Sequence, residues 1–391
     1  FYQWWDNPSH NPWQPYGDWH WVKLNPQEGY YESTYAYFRE HIATMQQVGI
    51  DFALLPLSLY KFERYIAFAQ AAREEGFRFA PLLDLRKLAL NEDFLAESPP
   101  QQPFHEGRLS LTQRTRKEIS RRLHLALRLL SSPAFLRYED KPVVFLADTF
   151  FFSPGWSAAE KEYLAEVLLE LYHPEPAQAL AAISQRWGVK LSRRGDLLSH
   201  YPGTIEAFYQ PRNPIEQDWL AAYQRGWEKW WQELLSEVEQ KYTAIFWIAD
   251  QPPPWWLPSL GEGGPFSSRF FSSPALVWGW GEADPLEAWT QQMELLSFFS
   301  PTIWTITPYY RDPWLELPLK INNDYSYDLL WQRALQHQAD MVLLSGWNLY
   351  QQSSVVEPTM EFGSLFLEKT AQWTARFKGQ KAAPVTVSLS Q

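Results

Sequence analysis

The chain has 391 residues, 46% of them hydrophobic, with a net charge of −11 and a pI near 5.3. That length suits one large α/β domain or two smaller ones, and the acidity argues against nucleic acid as a partner, because phosphate neutralisation needs clustered Lys and Arg. The absence of Cys excludes thiolate catalysis, disulfides and Cys-ligated metals, and no apolar run approaches the ~20 residues of a membrane span.

Short apolar runs alternate with helix-like ones along the chain. The strand candidates are Phe1–Trp5, Gly49–Leu57, Phe77–Leu83, Pro142–Leu146, Thr243–Ala249, Ala275–Trp280, Thr302–Thr307 and Met341–Ser345. Each is apolar on both faces, as a parallel sheet covered by helices demands. Eight such strands predict an α/β fold, a (β/α)8 TIM barrel. Helices are expected at 60–75, 112–131, 214–240, 286–298, 324–338 and 361–377. Ser157-x-x-Glu160 reads as a capping box. Asn213-Pro214-x-Glu216 and Asp284-Pro285-x-Glu287 each set a cap, an N1 proline and an N3 carboxylate in order. Residues 150–240 separate the fourth and fifth strands by more than one crossover helix. They predict a mainly helical insertion, with an extra strand at Ile205–Gln210. Residues 1–377 thus read as one barrel domain, and 378–391 as a polar tail or linker. Phe1 falls inside the first strand, so a signal peptide is not readable from this sequence; a secreted or periplasmic location is the expectation.

In a barrel of this kind the site lies at the C-terminal ends of the strands. The residues there are Trp4 and Trp5, then His20 and Trp21, after the first strand. They continue with Asp84, Asp148, Asp250 and Glu282 after the third to sixth. Tyr309 and Tyr310 follow the seventh, and Asn348, Gln352 and Glu357 the eighth. A strand-end Asp is more often a turn former or cap than a catalyst, and Glu357 reads as structural. Aromatic residues make up 17% of the chain, with 22 Trp. Sugar rings stack on such surfaces, although most aromatics fill cores. The clusters Trp4-Trp5, Trp19-His20-Trp21, Trp230-Trp231 and Trp255-Trp256 are harder to absorb into a core, because adjacent residues do not share one face. The eight His form no helical pair, so no metal is expected. With no Gly-rich phosphate loop and no Gly-x-Ser-x-Gly elbow, no cofactor is expected either.

Several motifs carry a resemblance. Trp4-Trp5-x-Asn7-Pro8 with His20-Trp21, Ser132-Pro133-Ala134-Phe135, Lys141-Pro142-Val143-Val144-Phe145, Trp347-Asn348 and Glu357-Pro358 look like the corresponding segments of glycoside hydrolase family 99 endo-α-mannosidases and their family 71 relatives. The resemblance covers both ends of the barrel and its fourth strand, but not roughly residues 150–275. It implies a scaffold for retaining hydrolysis of α-linked glycans. Aligned on Asn348, with one extra residue before Val356-Glu357-Pro358, the family's two catalytic glutamates fall on Leu349 and Gln352, and both carboxylates are gone. The expected function is therefore binding of an oligosaccharide or polysaccharide in an aromatic cleft, a pseudoenzyme on a glycosidase-like barrel. The alternative is an active glycoside hydrolase using relocated carboxylates such as Asp148, Asp250 or Glu282. A third reading is a structural or partner-binding protein with Trp as interface anchors.

Overall fold

The computed structural model describes residues 34–57, 62–85, 111–147, 149, 157–203, 206–250, 270–271, 290–291, 293–294, 302–308, 324–349 and 354–380. Two parallel sheets share one interior. In the first, β1 (Phe52–Pro56), β2 (Arg78–Asp84), β4 (Lys141–Ala147), β5 (Phe246–Asp250) and β6 (Phe270–Phe271) lie in that order, with β3 (Arg137–Tyr138) pairing antiparallel to β4. In the second, β7 (Ile303–Ile306) pairs with β8 (Met341–Leu344). The strands β4, β5 and β7 are buried nearly throughout, because helices cover one side and the other strands cover the other. Along β4, Val144 and Leu146 join the helix-facing core. Val143, Phe145 and Ala147 join a second cluster with Leu54, Leu82, Phe246, Ile248, Ile303 and Leu343. That second cluster draws on both sheets, so the strands curve around a common interior in a barrel-like α/β arrangement. The strands expected at Phe1–Trp5 and Ala275–Trp280 lie outside the described residues.

The connecting helices are α1 (Tyr35–Gln47), α2 (Phe62–Glu74), α3 (Gln113–Ala126), α9 (Asp324–Gln336) and α10 (Leu365–Phe377). Helical residues Thr290, Gln291, Met293 and Glu294 fall inside the segment expected at 286–298. Between β4 and β5 stand α4 (Ala158–Tyr172), α5 (Pro176–Trp187), α6 (Arg194–Leu198), α7 (Glu206–Tyr209) and α8 (Pro214–Lys241), the helical insertion. No helix among the described residues is long and apolar enough to cross a membrane.

The cap signals at Ser157 and Asn213 act as written, with one difference, and Asp284-Pro285-x-Glu287 lies outside the described residues. Ser157 accepts from the Glu160 amide (3.1 Å), and Asn213 accepts from the Glu216 amide (3.0 Å). The buried Glu160 carboxylate, however, accepts from the Leu111 amide at 3.1 Å, tying α4 to the residue just ahead of α3. The insertion converges on Asp218 of α8, which accepts from Tyr172 Oη (2.6 Å), Arg186 Nε (2.9 Å) and Trp187 Nε1 (2.8 Å). Gly226 lets α8 approach α4: a Cβ there would stand 3.1 Å from Leu164 and 3.2 Å from Tyr163. The Tyr163 hydroxyl donates to the Gly226 carbonyl at 2.9 Å.

Two expectations are corrected. Ile205–Gln210 is not a strand: Glu206–Tyr209 is a helical turn that carries Phe208 onto Tyr201 and Tyr223. Trp230 and Trp231 are not cleft residues. They are 3% and 0% exposed and pack edge to face, because α8 lies against both α4 and α3. A helix covered on two sides can bury neighbours that point in different directions.

Candidate functional site

The strand interior changes character along its length. Its lower levels are Phe52, Leu54, Val143, Phe145, Phe246, Ile248, Ile303 and Leu343. On the strand period of two, the next positions toward the C-terminal ends are Asp250 on β5, Thr305 and Thr307 on and just past β7, and Ser345 after β8, while the backbone of Asp84 ends β2. Asp250, Thr305 and Thr307 are all 0% exposed. Burying such groups costs free energy unless they are hydrogen-bonded, so this end of the strands carries a built polar layer. Asp84 is in register with Ala147 of β4, and Leu146 with Ala249 of β5. The two aspartates therefore sit on the strands flanking β4, about 10 Å apart along the hydrogen-bonding direction.

Asp250 has a defined task. Its Oδ1 accepts from the Thr149 amide (2.8 Å) and the Thr149 hydroxyl (2.5 Å). The Thr149 carbonyl in turn accepts from Trp227 Nε1 of α8 at 2.9 Å. The residue just past β4 is thus held between the end of β5 and the insertion helix. At its other end α8 grips β5 again: Glu239 Oε1 accepts from the Ile245 amide (3.0 Å) and Trp247 Nε1 (2.8 Å). Asp250 was legible from its strand-end position. Thr149 and Trp227 carried no such signal, because neither residue type nor spacing marks a hydrogen bond across 78 residues.

After β8 the chain makes a short antiparallel ladder, β9 (Asn348–Leu349) with β10 (Ser354–Val355), in which Leu349 faces Ser354 and Asn348 faces Val355. The ladder is fixed at its base. The Trp347 carbonyl accepts from the Val356 and Glu357 amides (3.0 and 3.1 Å), and buried Glu357 stands 3.8 Å from His41 of α1. Burial pulls the His41 pKa down to about 3, so His41 is neutral near pH 7 despite that carboxylate. Glu357 therefore belongs to the packing of this loop, in line with a structural role.

Of the other sequence candidates, Trp4, Trp5, His20, Trp21, Asp148, Glu282, Tyr309, Tyr310 and Gln352 lie outside the described residues. Asp84, Asn348 and Leu349 are placed by their backbone. A cavity of about 340 Å³ lies elsewhere, between β1 and β8, lined by Asp51, Phe52, Arg78, Asp340 and Met341. These residues mark the N-terminal ends of the strands, the end opposite the polar layer. Among the described residues no group of three or more His, Asp or Glu is arranged to hold a metal.

No protein-family model matches the chain, and no curated protein sequence matches it either. Solved structures do. The GH99 endo-α-mannosidase from Bacteroides thetaiotaomicron, in complex with bis-tris-propane, superposes with a TM-score of 0.55 at 13% identity, covering 97% of this chain and 96% of its own. A second structure of that endo-α-mannosidase gives 0.54 at 14% identity over the same shares. At such identity, what this chain shares with them is the fold.

Proposed function

We propose that the chain binds an α-linked glycan at the C-terminal mouth of an eight-stranded barrel, on a glycosidase-like scaffold without the usual catalytic pair. The observation that carries this reading is the switch of the strand interior from apolar to polar at one end, in a fold shared over 97% of the chain with an endo-α-mannosidase. In this reading Phe1–Trp5 supplies the first strand. Trp4, Trp5, His20, Trp21, Tyr309 and Tyr310 supply faces for sugar rings, and Asp84, Asn348 and Gln352 supply hydrogen bonds. Leu349 has no proton to exchange, and Gln352 can hydrogen-bond a hydroxyl but cannot act as acid or base. A secreted or periplasmic setting accords with such a ligand.

Hydrolysis by relocated carboxylates is the second reading, favoured by the register of Asp84 and Asp250 on either side of β4. An inverting pair needs carboxyl groups ~6.5–9.5 Å apart. Against it, Asp250 is fully buried and already holds Thr149, the work of a loop anchor.

The test is calorimetric titration with α-mannan oligosaccharides, followed by product analysis. The wild type should bind without releasing product, and Leu349→Glu with Gln352→Glu should produce slow hydrolysis. Each recovered acid is worth about 10²–10⁴-fold. Wild-type turnover that disappears in Asp84→Asn would transfer the assignment to the relocated carboxylates. A folded protein that binds no α-linked oligosaccharide would end the glycan reading.

A further inference from the structure

The helices and the strands beneath them do not keep the same count around β1 and β8. β1 leads into α2, and β8, by way of its ladder, leads into α10. Between these two helices stands α1. It packs on α2 along one side. At its C-terminal end it is pinned to α10: Thr374 Oγ1 donates to the Val48 carbonyl (2.5 Å), and Lys378 Nζ donates to the Gly49 carbonyl (2.7 Å). Gly49 permits that approach, because its φ is +78° and a Cβ there would stand 2.7 Å from Thr374 Oγ1. The outer layer thus runs α10, α1, α2. The inner layer, among the described strands, passes from β8 to β1 with no strand that leads into α1.

The cavity of about 340 Å³ lies at this mismatch. Phe52 and Leu54 of β1 line one side of it and Met341 and Leu343 of β8 the other, while the helices contribute Met45 and Phe377. A parallel crossover packs its helix on the two strands it joins. Since α1 leads into β1, the strand ahead of α1 belongs next to β1 on the side away from β2, which is the side of the cavity.

We propose that this cavity is a strand-acceptor site and that its occupant is Phe1–Trp5, inserted parallel to both β1 and β8. Within residues 1–33 this is the run that fits. It has five residues, as β1 has, and four of them are aromatic, as suits a strand covered on both faces. Trp19–Leu24 carries His20 and Lys23. Val385–Leu389, which follows α10, alternates Val, Thr, Val, Ser and Leu, the pattern of a strand with one wet face. Seated in the slot, Phe1–Trp5 delivers Trp4 and Trp5 to the mouth described above, and only this last step rests on the glycan reading.

The chain has no Cys, so introduced pairs are its only thiols. The experiment treats the full chain with a short bismaleimide, in Gln3→Cys combined with Ala53→Cys on β1 and, separately, with Val342→Cys on β8. Neighbouring strands lie ~4.8 Å apart, so both pairs should link within one chain, as mapped by mass spectrometry of the digest. Gln3→Cys with Leu171→Cys, at an exposed position of α4, should not link. Hydrogen exchange on the unsubstituted protein gives a second measurement. The Leu57 amide donates to Leu82 of β2, so by strand alternation the Leu54 amide points toward the slot; it should exchange as slowly as that of Leu55. The proposal is overturned if neither slot pair links in variants that unfold like the wild type, or if Leu54 exchanges fast. Links that join two chains would assign the slot to a second copy, and links from Ser388→Cys to Ala53→Cys in place of Gln3→Cys would assign it to the C-terminal segment; either outcome overturns it. Slot pairs that link in a protein that binds no α-linked oligosaccharide would uphold the strand and end the glycan reading alone.

Discussion

The inward face of the helical layer over β4 and β5 and the polar groups Asp250, Thr305 and Thr307 at the strand ends beneath it are both buried, yet they are built from different materials. The helical layer is aromatic bulk: Trp219, Trp227 and Trp231 of α8 are each 0% exposed, and Gly226 brings the backbones close enough for that bulk to seat. Its free energy comes from removing apolar surface from water and from dense contact. The strand end uses small polar groups that must be satisfied one at a time, as Asp250 satisfies Thr149. The lesson is that burial alone does not tell a core from a site. What distinguishes them is what fills them: aromatic rings with a few polar knots such as Asp218 in the one, and short polar side chains in the other.

The sharpest way to break this contrast is Trp231→Ala, which removes a large side chain from the helical layer. It should cost about 3–5 kcal/mol of stability, measured by urea unfolding, while leaving glycan affinity unchanged in the folded fraction. A loss of affinity without loss of stability would mean that the layer belongs to the site. Asp250→Ala should cost less, about 1–3 kcal/mol, because it strands two buried donors on Thr149. It should also weaken glycan binding by releasing the residue after β4. Trp227→Phe deletes the N–H to the Thr149 carbonyl and also trims a fully buried indole to a single ring, so about 1–3 kcal/mol is expected. A smaller drop in glycan affinity than for Asp250→Ala should accompany it, and equal affinities in wild type and Trp227→Phe would show that α8 does not reach the mouth.

Much of the scaffold was legible because its signals are local. Strands such as Lys141–Ala147 are unbroken apolar runs, and α8 begins at the Asn213-Pro214 cap its sequence spells. The helix Tyr35–Gln47 escaped notice although Phe38, Ile42 and Met45 face the core and Thr34 caps it. Its apolar positions are sparse among polar ones, so no run stood out. The segment Ile205–Gln210 alternates well enough to resemble a strand. Contacts of Phe208 with Tyr201 and Tyr223, which no local pattern encodes, make part of it a helical turn. The same limit governs the site. The position of Asp250 followed from strand counting, whereas its partnership with Thr149 and Trp227 exists only once the insertion has folded back over β5. Adjacent tryptophans in the sequence implied a cleft, and in α8 they meant a helix packed on two sides.

The double grip of α8 on β5 has a mechanical consequence. The helix is joined to the start of the strand through Glu239 and to its end through Trp227, Thr149 and Asp250. Strand and helix therefore behave as a braced strut rather than a hinged pair, and a force applied at Asp250 is carried by the stretch of helix between Trp227 and Glu239. The C-terminal end of β5 is in this sense the stiffened end of the strand. The ladder of β9 and β10, by contrast, is held by two residue pairs and by the bonds of the Trp347 carbonyl at its base.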